Sequence, residues 1–359
     1  MSKFYKIKAE KLVEFCEEIF KGYGVKPENA KIVAESLVDA DLRNVSSHGV
    51  IRLAIYVKRL KSHGTNGNPN IVIERETPVS ALLDGGNGLG SIVSDKAVKL
   101  AIEKIKKSGI AVVGVKNSAH YGAAAYWANK MADEGMVGFS CSNVEPFMAV
   151  SGGKGHDIGN NPFSFVFPTK SYGNVCYDVA CSKMAGGKIL AYALMGKQLP
   201  ENCFLTKDGK PTTDPHEAEI PLPFASHKGY GMAVVVEMLT SILTGSAFGK
   251  DIGSQYNQIN DPNVISHLFL GFRIDLFRDL DSYEKSADEF VEYLRALPKA
   301  DGVKKIYYPG ELENISKKEK LENGLKMKSD LIEELEGFAR EAGVPEKLIA
   351  EVKAEPIEE

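Results

Sequence analysis

The chain has 359 residues, 43% of them hydrophobic and 26% charged, with a formal net charge of −4. A chain of this length buries a large core and divides into two or three structural domains, and without a basic excess it offers no electrostatic footprint for nucleic acid or anionic lipid. Five cysteines (Cys16, Cys141, Cys176, Cys181, Cys203) form no C-x-x-C pair, which suits reduced thiols in a cytoplasmic compartment and argues against a structural metal. The N-terminus has no apolar run of the kind an export signal carries. The strongest apolar stretch, 231–245, contains Glu237 and is shorter than the roughly 20 residues a membrane span requires.

Apolar spacing predicts helices over 8–22 and 27–43, the second opened by Pro27, which suits a first turn. A third helix is expected from Ser47 to Ser62, stopped by Gly64 and followed by the polar run Thr65–Asn70. From Ile71 the texture becomes α/β: strands at 71–73, 80–83, 110–115, 137–140, 163–167 and 174–179 alternate with helices at 94–107 and 123–134, building a mixed sheet. Helices are expected at 187–194 and 229–243, a returning strand at 267–274, a helix at 286–297 and a helix pair over 325–343. The expected division is a helical unit of residues 1–75 joined by 313–359, a mixed-sheet unit of 76–182 with 265–312, and a helical subdomain of 183–264.

The run Asp84-Gly85-Gly86-Asn87-Gly88-Leu89-Gly90 stands between a strand and a helix, where a glycine loop can cradle phosphate. Its spacing is not G-x-G-x-x-G, and the next strand ends in Lys116-Asn117 where an acidic ribose partner would stand, so a Rossmann fingerprint is absent; a tight structural turn competes with a ligand loop. Gly186-Gly187-Lys188 lacks the spaced first glycine and the Ser/Thr of a phosphate-binding P-loop.

Three constellations carry chemistry. Ser47-His48-Gly49 is followed by Arg52 and Tyr56, and the spacing 48, 52, 56 places imidazole, guanidinium and phenol along one helical face, a stripe suited to reading a carboxylate. Ser118-Ala119-His120-Tyr121-Gly122 follows the buried strand 110–115, at a strand end of the sort where open α/β sheets place their chemistry. Asp178-Val179-Ala180-Cys181-Ser182 ends another strand, and Lys228-Gly229-Tyr230-Gly231 opens a helix whose ammonium and free amides could hold a cofactor phosphate.

Together with Gly159-Asn160-Asn161-Pro162, Pro211-Thr212-Thr213-Asp214-Pro215 and Tyr308-Pro309-Gly310-Glu311, these segments resemble the malate/L-lactate dehydrogenase family, which includes ureidoglycolate, sulfolactate and diketogulonate enzymes. The pattern looks most like archaeal malate dehydrogenases of this type. The resemblance implies an NAD- or NADP-dependent oxidoreductase acting on a small 2-hydroxy or 2-keto acid, a mixed-sheet nucleotide domain unlike the Rossmann fold, and a homodimer with a shared active site. It implies acid/base roles for His120 or His48, substrate contacts at Ser47, Arg52 and Tyr56, and cofactor contacts at Val144, Asp178, Val179, Ala180, Lys228, Gly310 and Glu311. The chain departs from the common family pattern at Asn160 and Cys181.

Reduction of a 2-keto acid needs a proton donor, a carboxylate anchor and a positioned nicotinamide. His120 is the expected donor, because a first-turn His48 beside Arg52 would be held neutral. A metal-independent lyase or hydrolase using the two histidines is a rival reading, as is a nucleotide-binding regulatory protein without catalysis.

Overall fold

The computed structural model describes residues 3–358; residues 1, 2 and 359 of the expected helical unit lie outside them. The chain begins with a strand, β1 (Lys3–Ile7), and the helices α1 (Ala9–Gly22), α2 (Pro27–Leu42) and α3 (Leu53–Lys61). The main sheet then starts with β2 (Val72–Thr77) and β3 (Ser80–Gly88), followed by α4 (Gly90–Ser108), β4 (Ile110–Ser118), α5 (Ala124–Ala132), β5 (Met136–Ser142), β6 (Phe163–Phe167) and β7 (Val175–Val179). Next come α6 (Gly187–Leu194), the short strands β8 (Phe204–Leu205), β9 (Pro211–Thr212) and β10 (Ile220–Pro221), and α7 (His227–Glu237). The chain returns as β11 (Ile265–Arg273) and closes with α8 (Leu280–Ala296), α9 (Glu311–Asn323), β12 (Leu325–Lys328), α10 (Ser329–Glu341), α11 (Glu346–Val352) and β13 (Pro356–Glu358).

In α1 the residues at positions 12, 15, 16, 19 and 20 are all buried, the apolar stripe of a helix lying on a core. Against it pack Leu37 of α2, Leu53 of α3, and Ile332, Leu335 and Ile349 from the C-terminal helices, in one continuous hydrophobic cluster. The two chain ends also meet through backbone pairing, since β1 runs antiparallel between β12 and β13.

The seven-stranded sheet has the order β2-β3-β4-β11-β5-β6-β7. Only β3 and β4 are parallel, and α4 crosses over between them; every other neighbouring pair is antiparallel. Helices α4 and α5 cover one face around Val98, Trp127 and Phe269, and α7 covers the other around Ala233, Val236 and Leu268. All seven residues of β5 are buried, as expected of an interior strand with both faces covered. The α/β fold with a mixed sheet therefore stands.

Several elements differ from the sequence expectation. The stretch expected as a helical subdomain also contains the small sheet β10-β8-β9. Residues 325–328, expected to begin a helix pair, form a strand instead, while α9 falls largely within the expected helical segment that starts at 313. The third helix starts only at Leu53, because residues 46–48 and 50–52 form two tight 3-10 turns separated by the extended backbone of Gly49 (ψ −156°). The glycine run is not a separate turn between strand and helix: β3 continues through it to Gly88. A Cβ on Gly85 would stand 2.8 Å from the Asn117 carbonyl oxygen, and one on Gly90 only 2.2 Å from that of Ala119, so these glycines admit backbone to backbone. Among the described residues no helix is long and apolar enough to cross a membrane.

Candidate active site

The extended turn at Gly49 is enforced from below. Asp41, buried on α2, accepts the Val50 N–H at 2.7 Å, and a Cβ on Gly49 would lie 2.1 Å from the same carboxylate. Burial pushes the Asp41 carboxyl up to about 6. His48 and Arg52 thus ride on tight turns, and the single helical stripe 48-52-56 does not form. His48, Arg52 and Tyr56 nevertheless face one site, through contacts to other segments.

Tyr56, in α3 and 2% exposed, places its hydroxyl 2.6 Å from Nδ1 of His120, on the loop after β4. The His48 ring lies 5.5 Å from that of His120, nearly parallel at 24°, and its Nδ1 contacts Ser47 Oγ at 2.9 Å. Arg52 donates from Nε to the Ser47 carbonyl oxygen at 2.6 Å and from a terminal nitrogen to the hydroxyl of Tyr256, whose ring it also overlies. Tyr256 comes from a loop fastened on two sides. Buried Arg59 donates to the carbonyl oxygens of Gln258 (2.9 Å) and Asp261, while Glu145 accepts from the Gln255 N–H at 2.5 Å and from Ser254 Oγ at 3.2 Å.

Desolvation lowers the pKa of His48 to about 4 and that of His120 well below its ordinary value, with Arg52 second in both cases. The electrostatic reason for preferring His120 over His48 therefore fails: both imidazoles are held neutral, and His48 is not in the first turn of α3. What separates them is connectivity, since only His120 meets the Tyr56 phenol. Burial raises the Tyr56 pKa, so the phenol stays protonated.

A cavity of about 370 Å³ opens nearby between α2, the start of α5, β7 and the turn before α9; its lining includes Arg43, Ala125, Cys176, Asp178, Gly310 and Glu313. Asp178 meets solvent there and accepts the Ala125 N–H, while the protein packed around it pushes its carboxyl up to about 7. Gly310 has φ 87°, and a Cβ on it would stand 2.8 Å from that of Cys176, so this turn closes only with glycine. Arg43 is engaged by Asp39 at 2.8 Å and by Asn314.

The remaining expected cofactor residues occupy distinct settings. The Glu311 side chain is buried, accepting from Lys305 Nζ at 2.6 Å, from Arg295 and from the Tyr308 N–H. Burial alone would raise its pKa, but the two cations outweigh it and hold the carboxyl below the usual range. Its carboxylate is thus spent on shaping the turn, which leaves the Gly310 backbone to face the cavity. The Val144 N–H is likewise occupied, donating to Asn161 Oδ1 at 3.1 Å, and Asn161 in turn donates to Glu237 at 2.7 Å.

Val179 and Ala180 lead from β7 into Cys181, whose N–H is held by the Asn160 carbonyl oxygen at 2.7 Å and whose own carbonyl oxygen accepts the Phe224 N–H at 2.9 Å. That pairing brings the start of α7 beside the end of β7. A Cβ on Gly229 would fall 2.4 Å from the Phe224 carbonyl oxygen, which explains the glycine after Lys228. Lys228 itself is exposed in the first turn of α7, preceded by Ala225 and Ser226 at φ 44° and 54°, backbone conformations costly for non-glycine residues.

Sequence reasoning missed Tyr256, Arg43, Glu145, Asn161 and His267. Each has at least one partner distant in the chain; Asn161 stands in the Gly159–Pro162 segment, whose spacing does not disclose its role, and the others sit in no local motif that announces them.

A family model described as malate/L-lactate dehydrogenase matches residues 7–336. The chain is 35% identical to malate dehydrogenase of Pyrococcus abyssi over 95% of its own length and 96% of that protein's. It is 30% identical to ureidoglycolate dehydrogenase (NAD(+)) of Escherichia coli, over 92% and 95%. The solved structure of sulfolactate dehydrogenase from Methanocaldococcus jannaschii superposes with a TM-score of 0.90 at 34% identity, covering 95% of this chain and 98% of that one.

Proposed function

Because the chain belongs to the malate/L-lactate dehydrogenase family, we propose that it transfers hydride between a nicotinamide cofactor and a small 2-hydroxy/2-keto acid, with malate/oxaloacetate as the leading pair. L-lactate, L-sulfolactate and ureidoglycolate are the alternatives. The observation that carries the reading is the convergence of His120, Tyr56, His48 and Arg52 on one site from two separate segments.

In the oxidative direction Arg52 grips the substrate carboxylate with its planar fork. His120, neutral because it is desolvated, takes the hydroxyl proton on Nε2 while its Nδ1–H donates to the Tyr56 oxygen. The resulting imidazolium is thereby stabilised from behind. His48 and Ser47 line the substrate side, and Tyr256 closes over Arg52. A nicotinamide cofactor bound here would supply the acceptor for the hydride that leaves the carbinol carbon.

The donor set fits such a cofactor. The cavity lies within the volume range of ligand sites, Asp178 offers acceptors for ribose hydroxyls, and Gly310 presents bare backbone. Lys228 would hold phosphate with its exposed ammonium alone, since the expected free amides of α7 are not available: the N–H groups of Lys228, Gly229 and Tyr230 are paired with the carbonyl oxygens of Ala225, Phe224 and Ser226. NAD and NADP are both compatible with family membership. Asp178 and Glu313 beside an Arg43 already bound to Asp39 favour the unphosphorylated ribose.

A homodimer is supported by the apolar surface that α7 and its continuation leave open: Val235, Met238, Ile242, Leu243 and Phe248 are each about half exposed or more.

The deciding experiment follows reduced-nicotinamide absorbance with oxaloacetate, pyruvate, sulfopyruvate and oxalurate, each with NADH and NADPH. Turnover on at least one acid, lost about 10²-fold or more in His120→Asn with cofactor binding intact, is the expected result. No turnover on any pair, or a silent His120→Asn beside a dead His48→Asn, would overturn the assignment.

A further inference from the structure

His267 belongs to no motif and has no part in the chemistry above, yet it is fully buried in β11, the strand between β4 and β5. Its Nε2 meets Ser118 Oγ at 3.0 Å and its Nδ1 meets Ser142 Oγ at 2.9 Å. Its ring stacks on Tyr121 at 4.4 Å, with the planes 2° from parallel.

These three partners are not scattered. Ser118 and Tyr121 bracket Ala119-His120, and Ser142 immediately precedes Asn143-Val144-Glu145, the segment that anchors the Tyr256 loop through Glu145. Tyr121 is itself a rigid plate, its hydroxyl 3.2 Å from Ser140 Oγ and its carbonyl oxygen accepting the Trp127 indole N–H at 2.8 Å.

The backbone shows why a side chain is needed. The ladder between β11 and β4 shifts register here, pairing Ile265 with Ser118 but His267 with Val115, so Lys116 and Asn117 bulge out, with Asn117 at φ 53°. The main-chain ladder that would hold the strand end below His120 is thus interrupted. Ser118 Oγ has otherwise only a 3.4 Å contact with the Ala119 carbonyl oxygen.

We propose that His267 is a positioning residue, a two-ended bridge across the bulge that holds the His120 loop and the Asn143–Glu145 segment in one geometry. The inference rests on the reading of His120 as the proton-transfer residue. A neutral imidazole donates at one nitrogen and accepts at the other, which matches one serine hydroxyl on each neighbouring strand. Burial lowers the His267 pKa to about 3 and keeps it in that neutral form. The link acts through placement, and a displacement of about 1 Å in a reacting group costs on the order of 10² in rate.

His267→Phe keeps the stack on Tyr121 and removes both hydrogen bonds, whereas His267→Gln restores a donor and an acceptor. With His120→Asn measured alongside, the Phe variant is expected to lose roughly 10- to 100-fold in kcat with KM for the acid nearly unchanged. The acid limb of its pH–rate profile should also move, and the Gln variant should recover most of the loss. If His267→Phe fails to fold, Ser118→Ala and Ser142→Ala take its place, each expected to lower kcat severalfold. A folded His267→Phe with wild-type kcat and pH profile, no recovery in the Gln variant, or silent serine variants would overturn the inference. Wild-type turnover in His120→Asn would instead bring down the functional reading beneath it.

Discussion

Removing the Tyr56 hydroxyl tests the proton-transfer assignment most directly. In Tyr56→Phe the ring keeps its place in the core, where the residue is 2% exposed, and only the 2.6 Å contact to His120 Nδ1 is lost. The Gly122 N–H, 3.4 Å from that nitrogen, is a donor and cannot serve the imidazolium. A hydrogen bond to a charged group contributes roughly 1.5–3 kcal/mol; partial replacement by water brings the expected loss to about 1.4 kcal/mol, or one pKa unit. Turnover of hydroxy acid with saturating cofactor, followed as reduced-nicotinamide absorbance, should fall about tenfold with little change in KM. The pH profile supplies a second reading. The competent base is neutral His120, whose pKa is lowered by desolvation, so activity in the wild type should persist as pH falls through 6.5 and decline only at lower pH. In Tyr56→Phe that decline should move lower still. Unchanged turnover and an unchanged acid limb would refute the role of Tyr56, and a wild-type limb at or above pH 6.5 would refute the neutral, desolvated base.

Arg52→Lys should raise KM for the acid about tenfold with a smaller effect on kcat, because a point charge cannot reproduce the two-pronged grip on a carboxylate; a change confined to kcat would place Arg52 elsewhere. Lys228→Ala should weaken NADH binding, read by fluorescence titration, by roughly tenfold while leaving KM for the acid near its starting value, and equal rises in both would deny it a phosphate. NADPH should bind at least about tenfold more weakly than NADH, since Asp178 and Glu313 would face its extra phosphate; equal affinities would remove that cavity from ribose recognition. Sedimentation at micromolar concentration should show a dimer, and replacing Met238 and Leu243 together by Lys should yield monomers with reduced activity, whereas a fully active monomer would exclude a shared site.

What was legible in the sequence was whatever depends on near neighbours. The apolar stripe of α1, Pro27 at the start of α2 and the β-branched run of β4 are written within a turn or two of chain, and they appear where expected. The chemical types of the site were legible for the same reason: His48, Arg52, Tyr56 and His120 stand in short, recognisable segments. Their geometry was not, because a single glycine with extended backbone, required by Asp41 below it, broke the helix that the spacing 48-52-56 assumed. Residues 325–328 alternate like a strand but run directly into α10, and only β1, at the opposite end of the chain, makes them one.

The glycine run shows the same dependence on distant chain. Between a strand and a helix its composition fits a ligand loop as well as it fits close packing, and the need for glycine at positions 85 and 90 comes from the Asn117 and Ala119 carbonyl oxygens that crowd them. Tyr256 reaches Arg52 across 204 residues, and His267 reaches Ser142 and Ser118 across 125 and 149. A site assembled where β4 and β5 end and β11 begins must be held by such contacts, because an isolated strand end has no ladder of its own beyond its last pair. Side chains from the intervening strand are the shortest available links. Residues that hold reacting groups in this fold are therefore to be sought on the strand between them, opposite a bulge, more than in the motifs that carry the reacting groups themselves.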